Sequence, residues 1–108
     1  MALMPLSNGN FKQFVAGNEV CVVDFWAEWC GPCQVMAPVL ESVSEAFTGA
    51  VAFGAVNVDQ EPELSERSGV MSIPTMVIYV DGMEAGRLVG MRSETALVSI
   101  IDKFVDQF

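Results

Sequence analysis

The sequence predicts an α/β domain in which a mixed β-sheet lies between helices. Three observations support this fold class: apolar runs of strand length alternate with stretches of helical periodicity, a hairpin signal follows a long strand, and an amphipathic stretch closes the chain. The chain has 108 residues, 52% of them hydrophobic, which is enough for one core without disulfides or a metal to hold it together. We therefore expect a single domain over residues 1–108.

The strands are predicted from apolar runs with turn signals at their ends. These runs are Leu3–Leu6, Val20–Ala27, Val51–Val58, Thr75–Val80 and Glu84–Val89. The second run is almost continuously apolar, as expected of a central strand that is covered on both faces. Asp81-Gly82 predicts a hairpin turn between the last two strands, and Pro5 limits the first run to a brief edge strand.

Helices are predicted where apolar residues recur every three or four positions. The predicted ranges are 11–15, 31–48 and 62–67, and a last range that begins after Ser93. The apolar face of the last helix consists of Leu97, Ile100, Ile101, Phe104 and Phe108. Pro38 lies inside the second helix, where its missing N–H and its ring predict a bend.

The composition argues against partners that are recognised by positive charge. Five Lys and Arg stand against fourteen Asp and Glu, and the net charge is −9, which opposes binding to a phosphate backbone or an anionic lipid surface. The N-terminal segment has no basic residue and no apolar stretch of signal-peptide length, and no later run is as long as a membrane span. We therefore expect a soluble, cytoplasmic protein with no nucleic-acid or membrane partner.

Two closely spaced cysteines are the strongest chemical signal in the sequence. Cys30 and Cys33 follow the central apolar run and are separated by Gly31 and Pro32, so a buried strand leads through a turn into a helix at this pair. With three cysteines in the chain, at most one bridge forms around this pair and Cys21 is left over. This count suits a reducing compartment better than a secreted disulfide scaffold.

A helix that begins at Cys30-Gly31 explains how the pair would react. The thiolate is the form that attacks a disulfide, and the free N–H groups and dipole at a helix N-terminus stabilise an anion. Cys33, one helical turn later, lies under Cys30 and close enough to bond to it. We therefore predict that Cys30 attacks and Cys33 resolves. Pro32 suits the first turn of a helix, and Gly31 allows the backbone of a partner to come close.

The competing interpretation of the cysteine pair is one half of a zinc site. A structural zinc site needs four ligands, but the chain has no His and only Cys21 in addition to the pair. We therefore favour redox chemistry over a metal that is shared between two chains.

Asp24 lies in the central apolar run, six residues before Cys30. Burial there would raise its pKa and make its ionisation costly. One interpretation is that Asp24 lies at an exposed strand edge and pairs with Lys12 or Lys103. The other is functional: Asp24 takes the proton from Cys33, directly or through water, when Cys33 must attack a mixed disulfide.

Several segments together resemble the thioredoxin family. They are V-D-F-W-A-E-W-C-G-P-C at 23–33, N-V-D-Q-E-P at 57–62, S-I-P-T at 72–75, D-G at 81–82 and V-G at 89–90. The first segment is highly specific, the others are correctly spaced, and the collinear match covers essentially the whole chain. The resemblance implies the thioredoxin fold, a central mixed five-stranded sheet flanked by four helices, and the activity of a protein disulfide reductase.

The resemblance also implies roles for individual residues. Cys30 matches the nucleophile of the family, Cys33 its resolving thiol, and Asp24 its buried acid, which accepts and donates a proton. Pro74 matches a cis-proline that faces the dithiol and helps to hold a client strand; by itself an Ile-Pro pair is a weak sign of a cis bond. The flat apolar docking surface of the family matches Trp29, Gly31, Pro32, Ile73, Pro74, Gly90 and Met91.

By the same resemblance, the electrons are carried by a redox disulfide between Cys30 and Cys33, and no cofactor is bound. The expected partners are disulfide-containing client proteins and a thioredoxin reductase, usually a flavoenzyme that draws on NADPH. We expect the chain to act as a monomer.

Three positions depart from the family pattern. Gln34 stands where many relatives have a basic residue just after the motif, and Ala55 stands where many have a lysine near the buried acid. Ser72 stands where relatives often have Gly. Less positive charge therefore surrounds the site, and we predict that thiolate formation at Cys30 depends more on the helix N-terminus than it does in relatives with the lysine.

The remaining sulfur-containing residues are expected to be mainly structural. Cys21 is predicted to be a small buried hydrophobic residue, with a reactive thiol as the alternative. Of the seven methionines, most are expected to fill the core. Met71, Met76 and Met91 lie near the docking segments, where they could soften the docking surface or be oxidised.

Two functional classes remain from the residues. One is a general disulfide reductase, and the other is a binding module in which redox turnover is incidental. An oxidase or isomerase on the same fold is a nearer rival, which Gly31-Pro32 and the N-terminal segment disfavour. The intact W-C-G-P-C and Asp24 favour the reductase.

Overall fold

A five-stranded mixed sheet forms the centre of the molecule. The computed structural model describes residues 3–105. The strands are β1 (Leu3–Pro5), β2 (Val20–Trp26), β3 (Ala52–Asn57), β4 (Thr75–Val80) and β5 (Met83–Val89), in the spatial order β1-β3-β2-β4-β5. β3 pairs in parallel with β1 and β2, whereas β4 pairs antiparallel with β2 and β5. The predicted mixed sheet, with a short first strand at its edge, is confirmed.

Four helices cover the two faces of this sheet. They are α1 (Phe11–Ala16), α2 (Gly31–Ala46), α3 (Pro62–Arg67) and α4 (Glu94–Asp102). The apolar sides of α2 and α4 pack in one core cluster against one face of the sheet, and those of α1 and α3 pack in a second cluster against the other face. The predicted fold class, a mixed sheet flanked by four helices, is therefore confirmed.

β2 is the central strand and is covered on both sides. Because side chains alternate along a strand, Val20 and Val22 belong to the cluster under α2 and α4, whereas Cys21, Val23 and Phe25 belong to the cluster under α1 and α3. All residues of β2 before Trp26 are buried. This alternation places the next residue after Val23, Asp24, on the α2 side of the sheet.

The hairpin between β4 and β5 has the predicted turn. Asp81 and Gly82 have φ values of 52° and 84°, and two successive positive φ angles give the turn the twist that antiparallel strands prefer. β5 begins at Met83, one residue before the predicted start, because Met83 already pairs with Val80.

The last helix is shorter than its apolar pattern predicts. α4 begins after Ser93, whose hydroxyl accepts a hydrogen bond from the N–H of Ala96 as predicted, but it ends at Asp102. The N–H of Phe104 bonds to the carbonyl of Ile101 in a tighter turn, so Phe104 packs on the core from outside the helix. Phe108, the last residue of the predicted face, lies outside the described residues.

α2 continues through Pro38 as one element, and the bend at this proline stays a prediction. None of the helices in the described part of the chain has the length and hydropathy that crossing a bilayer requires.

Candidate active site

A disulfide joins Cys30 and Cys33 where β2 leads into α2. The Cα atoms of the two residues are 5.2 Å apart, as one helical turn allows, and both side chains are buried. They form a small cluster with Ala27, against which Ile73 and Trp26 pack. The sequence predicted this pair, and the structure contains the disulfide.

Cys30 is the N-cap residue of α2. Its backbone is extended, with φ −89° and ψ 105°, and its Sγ accepts a hydrogen bond from the N–H of Cys33 at 3.2 Å. Gly31 and Pro32 form the first turn, where a proline costs no hydrogen bond because that N–H has no partner in a helix. A negative charge on Cys30 would therefore face unpaired N–H groups and the positive end of the helix dipole.

Side chains from two other elements hold the loop before Cys30. The indole N–H of Trp29 donates a 2.7 Å hydrogen bond to Asp59 Oδ2, although the Trp29 side chain is 70% exposed. The side-chain amide of Gln34 donates to the carbonyls of Ala27 and Glu28 at 3.4 and 3.3 Å. Asp59 and Gln34 thus fix the loop that presents Trp29 beside the disulfide.

A second loop, which comes just before β4, lies against the disulfide. The Ile73–Pro74 peptide bond is cis, as the resemblance implies, and Ile73 packs on the cysteine cluster. The carbonyl of Pro74 accepts a 2.8 Å hydrogen bond from the N–H of Gly90, which joins this loop to the end of β5. Met91 follows and is 48% exposed.

Asp24 is buried on the central strand and is 6% exposed. Its neighbours in the sheet, Ala55 on β3 and Met76 on β4, carry no charge. Burial raises the pKa of Asp24 from 3.8 to about 7, and its Oδ1 has no hydrogen-bond partner within residues 3–105. The exposed-edge interpretation of Asp24 is wrong because both edges of β2 are paired with other strands.

A cavity of about 220 Å³ connects Asp24 with Cys33. Its wall is mostly apolar, and its polar side chains are those of Asp24 on β2 and of Gln34 and Glu41 on α2. The lining residues are Leu3, Asp24, Trp26, Cys33, Gln34, Ala37, Glu41 and Ala55. The buried acid and the second cysteine therefore line the same cavity.

The other sulfur-containing residues differ in their positions. Cys21 is completely buried, as predicted, and burial raises the pKa of its thiol to about 11. Met76 is also completely buried, so the prediction that it could soften the docking surface is wrong: its side chain, near the start of β4, belongs to the core. Met71, in contrast, is 97% exposed.

No group of three or more His, Cys, Asp or Glu side chains within residues 3–105 is arranged to hold a metal ion.

Sequence reasoning missed Asp59 and Glu41, and it did not predict that Gln34 bonds to the loop before Cys30. Asp59 follows β3, and the carboxyl ends of the parallel strands β2 and β3 meet at one edge, so its closeness to Trp29 could have been inferred. Gln34 and Glu41 are seven positions apart on α2, a spacing of about two turns that puts both on one helix face. Both residues line the cavity with Asp24 because of the way α2 packs on the sheet, and the spacing of residues within α2 does not predict that packing.

Comparison with known proteins identifies the family. The family profile described as thioredoxin matches residues 2–103. A thioredoxin from Alicyclobacillus acidocaldarius is 43% identical over 96 residues, covering 89% of this chain and 91% of the relative. A thioredoxin from Chlamydia caviae is 44% identical over 98 residues, covering 91% and 94% of the two chains.

Solved structures agree with this match. A point mutant of a thioredoxin from Halobacterium salinarum superimposes with a TM-score of 0.88 at 31% identity, over 97% of this chain and 94% of the other. Plasmodium falciparum thioredoxin gives a TM-score of 0.86 at 35% identity, over 94% and 98%. The chain therefore belongs to the thioredoxin family and is a thiol–disulfide oxidoreductase that reduces protein disulfides with the redox-active pair Cys30 and Cys33.

Proposed function

We propose that Cys30 is the nucleophile of this reductase and Cys33 its resolving thiol. The observation that carries the proposal is the position of Cys30 at the N-cap of α2, with its sulfur hydrogen-bonded to the N–H of Cys33. In a reduced protein, the same donor and the helix dipole favour a thiolate at Cys30. Cys33 lies inside the first turn of α2, and its Cα is 5.2 Å from that of Cys30, so its sulfur is within reach of Cys30 in a mixed disulfide.

The reaction consists of two disulfide exchanges. The Cys30 thiolate attacks one sulfur of a client disulfide, the client S–S bond breaks, and the other client sulfur leaves as a thiolate that takes up a proton. Cys33 then loses its proton and attacks Cys30 Sγ in the mixed disulfide. The Cys30–Cys33 bond forms and the second client thiol leaves, so the client gains the two electrons that the cysteine pair loses.

Asp24 is the proton acceptor for Cys33 in this proposal, and the proton donor in the reverse direction. It shares a cavity with Cys33, and a pKa of about 7 lets it both take and release a proton near neutral pH. A carboxyl group with an ordinary pKa would be a weaker base for a thiol.

Clients dock on the apolar surface around the pair, in which Trp29 and Met91 are exposed and Pro74 is buried. This surface is proposed to consist of Trp29, Gly31, Pro32, Ile73, Pro74, Gly90 and Met91. Its support is that Ile73 packs on the cysteine cluster and that a hydrogen bond joins Pro74 to Gly90. An apolar surface holds unrelated clients weakly, while backbone pairing can align the disulfide.

Disulfide-containing clients and recycling by a reductase are general features of the family. For this chain we propose a thioredoxin reductase, a flavoenzyme that draws on NADPH, as the source of electrons. We further propose that the protein acts in the cytoplasm as a monomer. A reducing compartment is supported by the low and odd number of cysteines, three, which leaves Cys21 as a free thiol.

Covalent trapping tests the assigned roles. Cys33→Ser is expected to leave clients attached to Cys30 after the first exchange, whereas Cys30→Ser is expected to trap none, and both variants should lose the acceleration of insulin reduction by dithiothreitol. Trapping by Cys30→Ser would reverse the two roles. A wild-type protein that binds clients but does not accelerate insulin reduction would instead be a binding module.

A further inference from the structure

The cavity beside Asp24 extends beyond the two groups that the proposed chemistry uses. From Asp24 and Cys33 it continues along α2 past Gln34 and Ala37 to Glu41. Gln34 and Ala37 are exposed and Glu41 is half-buried, so this side of the cavity lies at the protein surface. The cavity therefore has a buried end at Asp24 and an outer end on α2.

The buried end of the cavity contains a polar atom that accepts no hydrogen bond from the described residues. Asp24 Oδ1 is buried and has no hydrogen-bond partner within residues 3–105. The facing positions on the neighbouring elements are Leu3 on β1, Ala55 on β3 and Met76 on β4, none of which titrates. A proton that reaches Asp24 must therefore leave through the cavity.

The outer end holds the second carboxylate. Besides Asp24 and Cys33, Glu41 is the only titratable group among the lining residues. Its side chain forms no hydrogen bond or ion pair in the described part of the chain, which leaves the carboxylate available. Glu41 follows Cys33 by eight residues, or roughly 12 Å along a helix at 1.5 Å per residue, so it lies at the end of the cavity away from the cysteine pair.

Water can fill this cavity. A water molecule takes up about 30 Å³ of liquid and needs two or more polar partners, and the cavity measures about 220 Å³ with Asp24, Gln34 and Glu41 in its wall. Several water molecules therefore fit in the cavity that the two carboxylates line.

We propose that Glu41 is the outer carboxylate of a proton path that leads from Asp24 through this cavity to solvent. The inference rests on the proposed role of Asp24 and adds a residue to it. During resolution the proton of Cys33 passes to Asp24, and the Cys33 sulfur forms its bond with Cys30. The proton then moves through water to Glu41 and on to bulk solvent, so that Asp24 is again an acceptor for the next turnover. When the pair is reduced, the proton travels in the opposite direction.

A pair of matched variants tests this path. Glu41→Gln keeps the size of the side chain and removes the acceptor. Glu45→Gln makes the same change one turn later on α2, at an exposed residue outside the cavity. The reaction is the single turnover of reduced protein with an aromatic disulfide that releases a coloured thiol twice, first on attack by Cys30 and then on resolution by Cys33.

Glu41→Gln is expected to slow the second release about threefold or more below pH 7, where Asp24 holds a proton that it must lose before it can act as a base. The first release should not change, and a high concentration of imidazole buffer should restore the second by carrying the proton instead. Glu45→Gln should match the wild type in both phases. An unchanged second release in Glu41→Gln, or an equal loss in both variants, would overturn the path.

Asp24→Asn separates this inference from the proposal beneath it. If Asp24→Asn slows the second release while Glu41→Gln does not, the role of Asp24 survives and the path through Glu41 is wrong. If Asp24→Asn leaves the second release unchanged, the proposed role of Asp24 fails first.

Discussion

Asp24 is an acid that the fold makes expensive to ionise. Its pKa is raised from 3.8 to about 7 by burial, whereas in the unfolded chain it titrates near its ordinary value. Below about pH 4 Asp24 is protonated in both the folded and the unfolded state, so its burial costs no folding stability. As the pH rises to 7 the unfolded state ionises first, so the folded state loses stability, and the full penalty above pH 7 is about 4 kcal/mol.

Replacing this acid with its neutral analogue is therefore expected to stabilise the fold. Asp24→Asn should raise the free energy of unfolding of the oxidised protein by about 2–4 kcal/mol at pH 9, and the gain should shrink towards zero at pH 4. Urea unfolding across this pH range measures it, and Asp81→Asn in the exposed hairpin turn is the control. A loss of stability at pH 9, or a gain that does not depend on pH, would contradict the burial argument.

Gln34 tests how much the local charge matters at Cys30. Its amide lies over the loop before Cys30, and a lysine there would bring a positive charge towards the sulfur. Gln34→Lys is expected to lower the pKa of Cys30, measured as the pH dependence of its alkylation by iodoacetamide. Gln13→Lys on the exposed side of α1 adds the same charge far from the pair and should leave that pKa unchanged. Equal profiles for Gln34→Lys and wild type would refute our account of the site.

The sequence predicted single residues well where a local rule decides them. The N-cap position of Cys30 follows from a strand, a turn and a proline in the first helical turn, and Ser93 follows from the same capping rule. Glu41 and Asp59 were missed because their roles depend on which elements lie side by side. Met76 was misplaced because closeness in sequence to Pro74 does not tell which side of β4 a residue faces.

At the level of elements, the apolar patterns predicted every helix and strand, and the differences lie at their ends. α4 ends at Asp102 although the apolar spacing continues to Phe104, because a side chain can pack on the core from a turn as well as from a helix. The spacing of apolar residues reports burial, whereas the end of a helix is set by backbone hydrogen bonds.

The packing of Leu6, just after β1, and of α1 on β3 depends on a residue without a side chain. An added Cβ on Gly54 would lie 2.5 Å from Leu6 Cδ1 and 3.2 Å from Phe14 Cε2. Gly54→Ala is expected to destabilise the fold by about 1–3 kcal/mol, because Leu6 and Phe14 must move out of a packed core. Urea unfolding measures the change.

Gly9→Ala provides the control for this substitution. An added Cβ at Gly9 would meet its nearest atom, Ser7 Oγ, at 3.6 Å, which is an ordinary contact. The control should therefore stay within about 0.5 kcal/mol of the wild type. If Gly54→Ala were equally harmless, the close approach of Leu6 to β3 would not be a feature of the folded state.

At the level of the whole molecule, the order of the strands is the part that local patterns do not contain. The alternation of strands and helices predicted helices on both faces of the sheet. This is what the structure shows: α1 and α3 cover one face, and α2 and α4 cover the other. The position of β3 between β1 and β2 depends on pairing between distant segments, and the sequence analysis did not predict it. The cavity between Asp24 and Glu41 is a further consequence of how α2 packs on that sheet.

The net charge of −9 is a property of the whole chain that should select among clients. A negative field speeds the approach of a positively charged partner and slows that of a negative one, and salt screens both effects.

We therefore expect the second-order rate of reduction of a disulfide peptide with flanking lysines to fall about threefold or more between about 20 and 500 mM salt. A peptide with flanking glutamates should react faster as salt is added, and a neutral peptide should change little. Stopped-flow measurements under identical conditions give the three rates. Equal salt dependence for all three peptides would mean that the charge of the chain does not steer the encounter, and the docking surface alone would then decide which clients are reduced.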